Sequence, residues 1–593
     1  MNGRHLTDEE IRQLIAQGNF ADDWSNIHVS NEFSANMIWR NRFEGELFIG
    51  NFDEQKRHGD VLRLSEGIYD STIRDCTIQS NSAIHHVKLL SGYQVAGVMY
   101  NIGCATAEKG SVLEANVMNE NGGRKIRIHR TMSLSFAYLW AKMRGRTKLM
   151  QRLEEADYDE MFAICGTVIN CSTIRNTNIA TESLVSDAIA IENSVIGRGC
   201  DVVRGCVVRN TLLGENVHVE DCARINDSIV GDNSTIARCE VGNSFIFPAH
   251  EQHHNNSFLI AATVMGQSNI AAGSTIGSNH NGRTADGELR AGRGFWAGLC
   301  TSFKHPSYFA SYCLVAKGDY PNELNITLPF ALVNNNAAKD QLEVMPAYWW
   351  LYNMYAMRRN ETKFAQRDRR IDGSNRIEFN PLAPDTVEEI VCARELMRHW
   401  TEQAYLRSPQ QGDKIEITAN GMEHGKRKVV ILKAAQAYAA YEQMLYYYIG
   451  QVLTADGRQM PDASLAGKRE IHWVNLGGQL MPQSDLDKIV SDIENDRESN
   501  TLSDIITKFN VEKQHLWLME YPQQKRQHAY RLLCDLSGVK TIDEALWQKT
   551  LARYDEICRH VKDQVRITRE KDDANPFRRM MYDSDDEMHA VLG

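Results

Sequence analysis

The 593-residue chain lacks any long apolar run. No stretch reaches the roughly 18 consecutive apolar residues that a membrane-spanning helix needs. The first residues also lack the apolar segment of a secretory signal peptide, and they predict an amphipathic helix with Thr7 and Glu10 at the spacing of a capping box. These absences predict a cytoplasmic protein that does not bind membranes.

Paired metal-binding cysteines and an excess of positive charge are also missing. None of the thirteen cysteines forms the C-x₂-C pair of a zinc site, so we predict reduced, buried thiols. The 77 acidic and 66 basic side chains give a formal net charge of −11, which argues against nucleic acid as a general partner because it is a polyanion. The composition is otherwise that of a globular protein, and the length predicts two or three domains.

The sequence contains a short repeat. Between residues 166 and 246 an aliphatic residue recurs every five or six positions, and the residue two places before it is usually small. The anchors Ile179, Ile196, Leu213 and Val230 are each 17 residues apart, in two steps of six and one of five. An α-helix has a period of 3.6 residues and cannot produce this pattern. The small residues are Ser172, Thr177, Ser183, Ser194, Cys200, Cys206, Thr211, Ala223, Ser228, Ser234, Cys239 and Ser244.

A coil of three short strands explains this repeat. Each strand points one aliphatic side chain inward, and the tight corner between strands leaves room only for a small group. Stacked coils then bury the aliphatic residues in one column and pair their strands in parallel. The repeat therefore predicts a parallel β-helix, and the same spacing at Ile73, Ile78 and Ile84 places its start near residue 65.

Departures from the repeat predict the domain organisation, a β-solenoid followed by helices. The C-terminal part has aromatic-rich helical stretches, one of which starts at Asp385 and Thr386 with Glu388 and Glu389 at capping-box spacing. A polar stretch at 247–258 predicts an interruption of the β-helix. We expect an N-terminal cap at 1–64, a first part of the β-helix at 65–118, a loop and helical insertion at 119–164, the main β-helix at 165–338 and an α-helical domain at 339–593.

Several segments of the repeat resemble the hexapeptide-repeat superfamily. The segments NSVIGRGCDV, NTLLGENVHV, DSIVGDNSTI and QSNIAAGSTIG are most similar to the β-helix of sugar-1-phosphate nucleotidyltransferases. The whole chain also resembles an uncharacterised bacterial family of unknown function. The resemblance implies that the parallel β-helix is left-handed and that the chain forms a homo-oligomer, commonly a trimer.

The superfamily includes acyltransferases, sugar nucleotidyltransferases and γ-class carbonic anhydrases. The nucleotidyltransferases need a separate α/β domain with a Gly-rich signature, which is not found in this sequence. The segment before the repeat is too short for that domain, and the C-terminal part does not read as alternating strands and helices. Pyrophosphorylase activity is therefore not expected, and the site has to decide the function.

Polar loops of the β-helix are the predicted positions of the chemistry, because a rigid scaffold presents its loops. The pKa of histidine is ordinarily near neutrality, so His254 and His280 are candidate general bases. The resemblance to hexapeptide acyltransferases implies the same role for a histidine. The alternative is that these side chains only fold the loops through turn hydrogen bonds. The predicted substrate-binding residues on the loops are Asn256, Asn279, Asn281, Arg283, Lys304 and His305.

The loop NENGGRK at residues 119–125 is a second candidate. Two glycines let backbone amides approach an anion, and two cations follow. We therefore predict that Gly123 and Arg124 contact substrate, while the same pattern also suits a plain turn. Arg293, which lies between two glycines, is a weaker example of this pattern.

The leading hypothesis is a transferase that acts on a sugar or nucleotide-sugar, with acyl transfer favoured and acyl-CoA as the donor. The alternative is an oligomeric scaffold that binds a sugar phosphate or nucleotide without turnover. A metal hydratase similar to γ-class carbonic anhydrases is a third reading, although the three-histidine spacing of those enzymes is not reproduced and no metal ligand is assigned.

Overall fold

The inward anchors of the repeat line the interior of a parallel β-solenoid of about 17 turns, which is followed by helices. Val202 pairs with Val185 in the coil before it and with Val219 in the coil after it, and all three side chains are fully buried. The predicted fold class is confirmed. The computed structural model describes residues 3–53, 56–58, 63–277, 287–370, 376–407, 415–573 and 575–592.

The small residues before the anchors occupy tight, buried corners of the coil. The hydroxyls of Ser194, Thr211 and Ser228 each donate to the carbonyl oxygen two residues earlier, at 2.7, 2.7 and 2.8 Å. A small polar group is thus buried without losing its hydrogen bond. Cys200 and Cys206 are buried free thiols at the same kind of position, as predicted, but the prediction is wrong for Cys104, Cys222, Cys300 and Cys392, which are exposed.

Three ladders of strands form the three faces of the solenoid. The first face contains Arg4–His5, Ile27–Val29, Leu47–Ile49, Thr77–Ile78, Gln94–Val95, Ala163–Ile164, Asn178–Ile179, Val195–Ile196, Leu212–Leu213, Ile229–Val230, Phe245–Ile246, Ala262–Val264, Leu289–Ala291, Ser307–Phe309 and Asn325–Ile326. The second face contains Ile38–Trp39, Gly67–Tyr69, the start of Ala83–Ser91 and of Val98–Thr106, Thr167–Ile169, Leu184–Ser186, Asp201–Val203, His218–Glu220, Thr235–Ala237, Glu251–Gln252, Asn269–Ile270, Trp296–Ala297, Leu314–Val315 and Leu332–Asn336. The third face contains Phe20–Ala21, Arg42–Glu44, Thr72–Arg74, the ends of the same two long strands, Thr173–Arg175, Ala190–Glu192, Val207–Arg209, Arg224–Asn226, Glu240–Gly242, Phe258–Ile260, Thr275–Ile276, Thr301–Phe303 and Gly318–Tyr320.

Asparagines mark one outer corner of the coils. Asn176, Asn193 and Asn210 have left-handed backbone angles, with φ of 45°, 48° and 48°, which asparagine tolerates better than most residues. The side chain of each donates to the residue one coil further on, with a distance of 3.2 Å from Asn176 to Asn193 and from Asn193 to Asn210. The asparagines therefore stabilise both the turn and the stacking.

The solenoid begins before the predicted start near residue 65. Ile27–Val29 already pairs in parallel with Leu47–Ile49, after helix α1 (Asp8–Ala16), whose predicted capping box is present. The predicted N-terminal cap at 1–64 is therefore wrong. The pairing of Ile27 with Leu47 spans 20 residues instead of 17, so the early coils do not show the regular spacing.

The predicted interruption at 247–258 is also wrong. Glu251–Gln252 forms a second-face strand between its neighbours in the coils before and after. The segment looks polar because two buried positions of this coil are filled by unusual side chains. Gln252 stands where the coil before has the aliphatic Ile236, and His250 stands where that coil has the small Ser234. His250 Nδ1 lies 2.8 Å from Ser268 Oγ, and burial lowers the pKa of the ring to about 4. The interior histidine is therefore neutral.

An insertion separates Val98–Thr106 from Ala163–Ile164, close to the predicted 119–164. It contains an antiparallel hairpin, Glu114–Asn116 with Lys125–Arg127, and helices α2 (Leu134–Lys142) and α3 (Thr147–Glu155). Helix α2 is buried on nearly all sides because it lies between the solenoid and the C-terminal helices. The ring of Tyr138, for example, packs on Phe247 with centroids 4.9 Å apart.

The C-terminal region is mainly helical, as predicted, but it is not helical throughout. Its helices are α4 (Tyr348–Tyr352), α5 (Met354–Arg367), α6 (Pro384–Arg407), α7 (Ala434–Leu453), α8 (Gln483–Asn495), α9 (Leu502–His515), α10 (Tyr521–Ser537), α11 (Glu544–Asp573), α12 (Pro576–Arg579) and α13 (Asp585–Leu592). Its strands are Gln341–Met345, Ile417–Thr418 and Lys428–Ile431, which extend the last coil, and the hairpin Trp473–Leu476 with Gln479–Pro482. In the described ranges none of the helices is both long and apolar enough to cross a membrane.

The inward column predicts a position-specific loss of stability. Ile225 is buried and its neighbour Arg224 is exposed on the same strand. Ile225→Ala leaves a cavity and should cost about 2–5 kcal/mol, whereas Arg224→Ala should change stability little. The apparent melting temperature by circular dichroism checks this, and equal melting temperatures for the two variants would contradict the inward placement.

Candidate functional site

The predicted loop residues that the structure describes lie at two different corners of the solenoid. The segment 278–286, outside the described residues, contains Asn279, His280, Asn281 and Arg283. Lys304 and His305 lie at the corner between the third and first faces. Lys304 Nζ forms an ion pair with Glu323 Oε1 at 2.9 Å, and the buried ring of His305 has Nε2 3.1 Å from the Ile260 carbonyl oxygen. Both side chains are thus engaged in contacts within the protein.

His254 and Asn256 lie at a different corner, between the second and third faces. The ring of His254 is exposed, and its centroid is 4.4 Å from that of His253. Asn256 has a left-handed backbone with φ of 66°, as expected of a turn residue. The structure therefore does not bring this pair together with Lys304 and His305.

Gly123 and Arg124 have separate roles in their loop. The amide of Gly123 donates to Asn121 Oδ1 at 2.9 Å, which is the hydrogen bond of a plain turn. Arg124 reaches the solenoid, where its Nε donates to Glu288 Oε1 at 2.5 Å and its Nη1 to the Ala141 carbonyl at 2.9 Å. Arg124 therefore joins the insertion to the first face.

A cavity of about 720 Å³, which we call the interface cavity, lies between the first face, helices α2 and α6, and the Trp473–Leu476 strand. Its wall includes Lys142, Arg290, Ser311, Glu389, Cys392 and Trp473. A neighbouring groove of about 800 Å³ contains Arg124 and Glu288 and shares Arg290 and Tyr308 with the cavity. Arg124 lines the groove. None of the other predicted site residues that the structure describes lines the groove or the interface cavity.

Glu389 is the carboxylic acid of the cavity wall that has no ion pair among the described residues. Its half-buried carboxylate accepts a hydrogen bond from the amide of Ser311 at 3.0 Å. Burial and then the charge of Asp385 raise the pKa of this carboxyl to about 7, and the Ser311 hydrogen bonds oppose the rise. Glycine at position 292 leaves room for the backbone of Ser311 in the next coil, because a Cβ at this position would lie 2.6 Å from the Ser311 nitrogen. Glu389 can therefore take up or release a proton near neutral pH.

The sequence reading of Glu388 and Glu389 as capping residues is wrong. The helix start is stabilised by Thr386, whose Oγ1 accepts from the amide of Ala383 at 3.1 Å. Glu388 Oε1 lies 2.7 Å from Nε2 of the buried His528, and Glu389 faces the cavity. Asp385, Glu389, Cys392 and Leu396 lie at helical spacing on the side of α6 that lines the cavity, and the two carboxylates at the start of this row are the sequence signal for it.

Lys142 and Arg290 are two positively charged residues in the wall of the cavity. Burial, followed by the charges of Arg290 and Arg124, lowers the pKa of Lys142 to about 8. In the described part of the chain its ammonium has no hydrogen-bond or ion-pair partner. Arg290 is loosely paired, with Nη2 3.7 Å from Glu288 Oε2. These two cations are the groups most available to a bound anion.

Arg293 anchors the helical region on the solenoid instead of binding an anion. Its buried guanidinium donates to both carboxylate oxygens of Asp385 at 2.8 Å, and also to Gln267 Oε1 and the carbonyl oxygens of Glu378 and Asn380. The weaker sequence candidate is therefore a structural bridge. Arg469 likewise pairs with Glu388 at 3.1 Å, so most charges of the cavity wall are compensated.

Among the residues that the structure describes, no group of three His, Cys, Asp or Glu side chains is placed to hold an ion. The three-histidine arrangement of the hydratase reading is not found in those ranges.

The fold and the cavity define a β-solenoid protein whose helical region covers a charged cavity on one face. The chain belongs to the family described as Domain of unknown function (DUF4954), which matches residues 3–194 and 158–401. A protein of Treponema pallidum (strain Nichols) described as "Uncharacterized protein" is 38% identical over 658 aligned positions, which cover all of this chain and 90% of the relative. The expected resemblance to an uncharacterised family is confirmed.

The Arg293 bridge predicts how the helical region stays docked. Asp385→Asn leaves a buried guanidinium without its charged partner and should cost about 3–5 kcal/mol. Faster limited proteolysis after residue 376 and a lower melting temperature are expected. Glu395→Gln on the same helix is the control, because its ion pair with Arg398 is exposed. A melting temperature of Asp385→Asn equal to that of the control would refute the anchoring role.

Proposed function

We propose that the chain is a transferase that binds an anionic sugar, as a sugar phosphate or nucleotide-sugar, in the interface cavity. The observation that carries the proposal is that the half-buried carboxyl of Glu389 lines the same cavity as Lys142, whose ammonium has no ion pair or hydrogen bond among the described residues. A proton acceptor and an anion-binding group are the two components that such a transfer needs. The volume of about 720 Å³ is in the range of small-molecule sites.

The charges of the wall support an anionic substrate. Asp385 is paired with Arg293 and Glu388 with Arg469, so these four charges compensate each other. Among the described residues, Lys142 has no ion pair and Arg290 has only the loose one with Glu288. Both line the same cavity as Glu389, whose carboxyl is partly protonated at neutral pH. A phosphate at these two cations would therefore complete the charge balance of the cavity.

Acyl transfer is the reaction that we favour, with a thioester such as acyl-CoA as the donor. The substrate hydroxyl or amine attacks the thioester carbonyl while Glu389 accepts its proton. The carbon–sulfur bond then breaks, and the proton passes from Glu389 to the departing thiolate. The products are an acylated sugar and a free thiol, and Glu389 returns to its starting state.

Glu389 takes the role of base that the sequence assigned to a histidine. His254 lies at another corner of the coil, and His280 is outside the described residues. Cys392 also lines the cavity, but burial and then the charge of Glu388 raise the pKa of its thiol, so it is not poised as a thiolate nucleophile. The carboxyl is the better-placed proton acceptor.

Ligand binding and turnover test the two roles separately. Glucose 1-phosphate, UDP-glucose and acetyl-CoA are titrated by calorimetry and assayed for thiol release. A double variant, Lys142→Met with Arg290→Met, should weaken sugar binding at least tenfold, whereas Glu389→Gln should retain binding and lose at least 100-fold in turnover. Arg398→Met is the matched control on the solvent face of α6.

Other outcomes of these experiments would contradict parts of the proposal. Binding of the sugar compounds without thiol release by the wild-type protein would favour the non-catalytic scaffold, and full activity of Glu389→Gln would refute the base. Failure of all these sugar compounds to bind would refute the substrate class.

The raised pKa of Glu389 also predicts a pH dependence of stability. The folded protein keeps a proton on Glu389 up to about pH 7, whereas the unfolded carboxyl releases it near its ordinary value of 4.5. The native state therefore binds more protons between these values, and the contribution of Glu389 to stability falls as the pH rises from 4.5 to about 7. Glu389→Gln should melt progressively higher than wild type across this range. A constant difference between the two melting curves would contradict the shift.

A further inference from the structure

A second enclosed space lies on the second face of the solenoid and is separate from the interface cavity. This cleft, of about 420 Å³, is bounded by the strand Trp296–Ala297, helix α5 and helix α11. We call it the α5 cleft and define it by Trp296, Tyr352, Arg359, Lys363, Phe364 and Lys571. Cations and aromatic rings thus converge from four elements of the fold, because Tyr352 is the last residue of helix α4.

Helix α5 carries a row of three cations, of which Arg359 and Lys363 line the cleft. Arg359, Lys363 and Arg367 are spaced by four residues, so each is a neighbour of the next on one helix face. Like charges at this spacing destabilise a helix. Within the described residues, Arg359 and Lys363 form no ion pair and no side-chain hydrogen bond. Arg367 alone is paired, with Nη1 3.3 Å from Glu251 Oε1.

The position of Lys363 adds to this cost. Burial lowers the pKa of its ammonium, the charge of Glu251 opposes this, and Arg367 and Arg359 lower it further. Glu251 is already shared between Arg367 and His253, whose Nδ1 lies 3.2 Å away. The charge on Lys363 is therefore undercompensated in a protein whose net charge is negative. A bound anion would remove that cost.

Aromatic rings form the other side of the cleft. The ring of Tyr352 is partly exposed, and the ammonium of Lys571 from α11 lies 5.9 Å from its centroid. Trp296 lies across the cleft on the solenoid and is half-buried. A planar group can stack on such rings, and stacking is worth about 1–3 kcal/mol per base where it has been measured for nucleic acids.

We propose that the α5 cleft binds a nucleoside phosphate, with its base against Tyr352 and Trp296 and its phosphates at Arg359 and Lys363. Aromatic rings line the cleft together with Arg359, which has no ion pair among the described residues, and Lys363, which Glu251 in the same lining compensates only in part. This combination fits a ligand that is aromatic at one end and anionic at the other. The volume of the cleft is that of a small-ligand site. Gln267, which borders the cleft, accepts a hydrogen bond from Arg293 in the wall of the interface cavity, so the two spaces are adjacent but divided.

Calorimetric titration of the full chain with ADP and UDP tests this proposal, with adenosine and inorganic phosphate as the two halves of the ligand. The nucleotides should bind saturably, and each half should bind at least tenfold more weakly. The double variant Arg359→Gln with Lys363→Gln should weaken ADP binding at least tenfold, and Tyr352→Ala at least fivefold. Binding should also weaken between 50 and 500 mM salt because it depends on charge.

The stability of the empty variant distinguishes a ligand site from a structural one. Removal of two repelling cations should leave the melting temperature without ligand unchanged or higher, whereas loss of a structural contact would lower it. Arg566→Gln on α11 removes a surface cation that pairs with Glu570, and it should not change ADP affinity. Lys142→Met should not change it either, which separates this site from the interface cavity.

The proposal would be overturned if neither nucleotide bound saturably, or if inorganic phosphate bound as tightly as ADP. Unchanged affinity in the double variant would also overturn it. Loss of ADP binding in Lys142→Met, but not in the α5 variants, would place the nucleotide in the interface cavity instead.

Discussion

The stacking of 17-residue coils is the constraint on which the rest of the structure depends. Each strand must supply one inward aliphatic side chain, and each corner must supply a group small enough to fit, as Val202 and Ser194 do. Each coil is stacked between two others, so a polar side chain that points inward must form its hydrogen bonds inside the solenoid. His250 does this with Ser268. The result is a rigid prism with three long, flat faces.

Flat faces alone provide no enclosed site, and the helical region supplies the missing walls. Helix α2 of the insertion and helix α6 cover the first face, while α5 and α11 lie over the second. The buried pair of Arg293 and Asp385 fixes this arrangement with two hydrogen bonds between charged groups. The interface cavity and the α5 cleft are both consequences of that docking.

Charge is distributed unevenly over these walls. The chain has an excess of acidic residues, yet Lys142 in one space and Arg359 with Lys363 in the other lack acidic partners among the described residues. Lys142 and Lys363 are half-buried, whereas Arg359 is exposed, and a bound anion would offset the cost of burying the two ammonium groups without an ion pair. Glu389 differs from them because its enclosure makes it a proton acceptor near neutral pH.

The sequence by itself determined the parallel solenoid, the insertion and the helical C-terminal region, because period and residue size are local properties that a coil imposes on every repeat. It did not determine the early coils, whose spacing is irregular, or the coil with polar filling at His250. The candidate site was decided only by the tertiary structure. The predicted Arg124 lines only the neighbouring groove. Glu389 was interpreted as a capping residue, because its surroundings in the cavity come from segments far apart in the chain. A pKa and a cavity depend on such distant neighbours, and local sequence does not contain them.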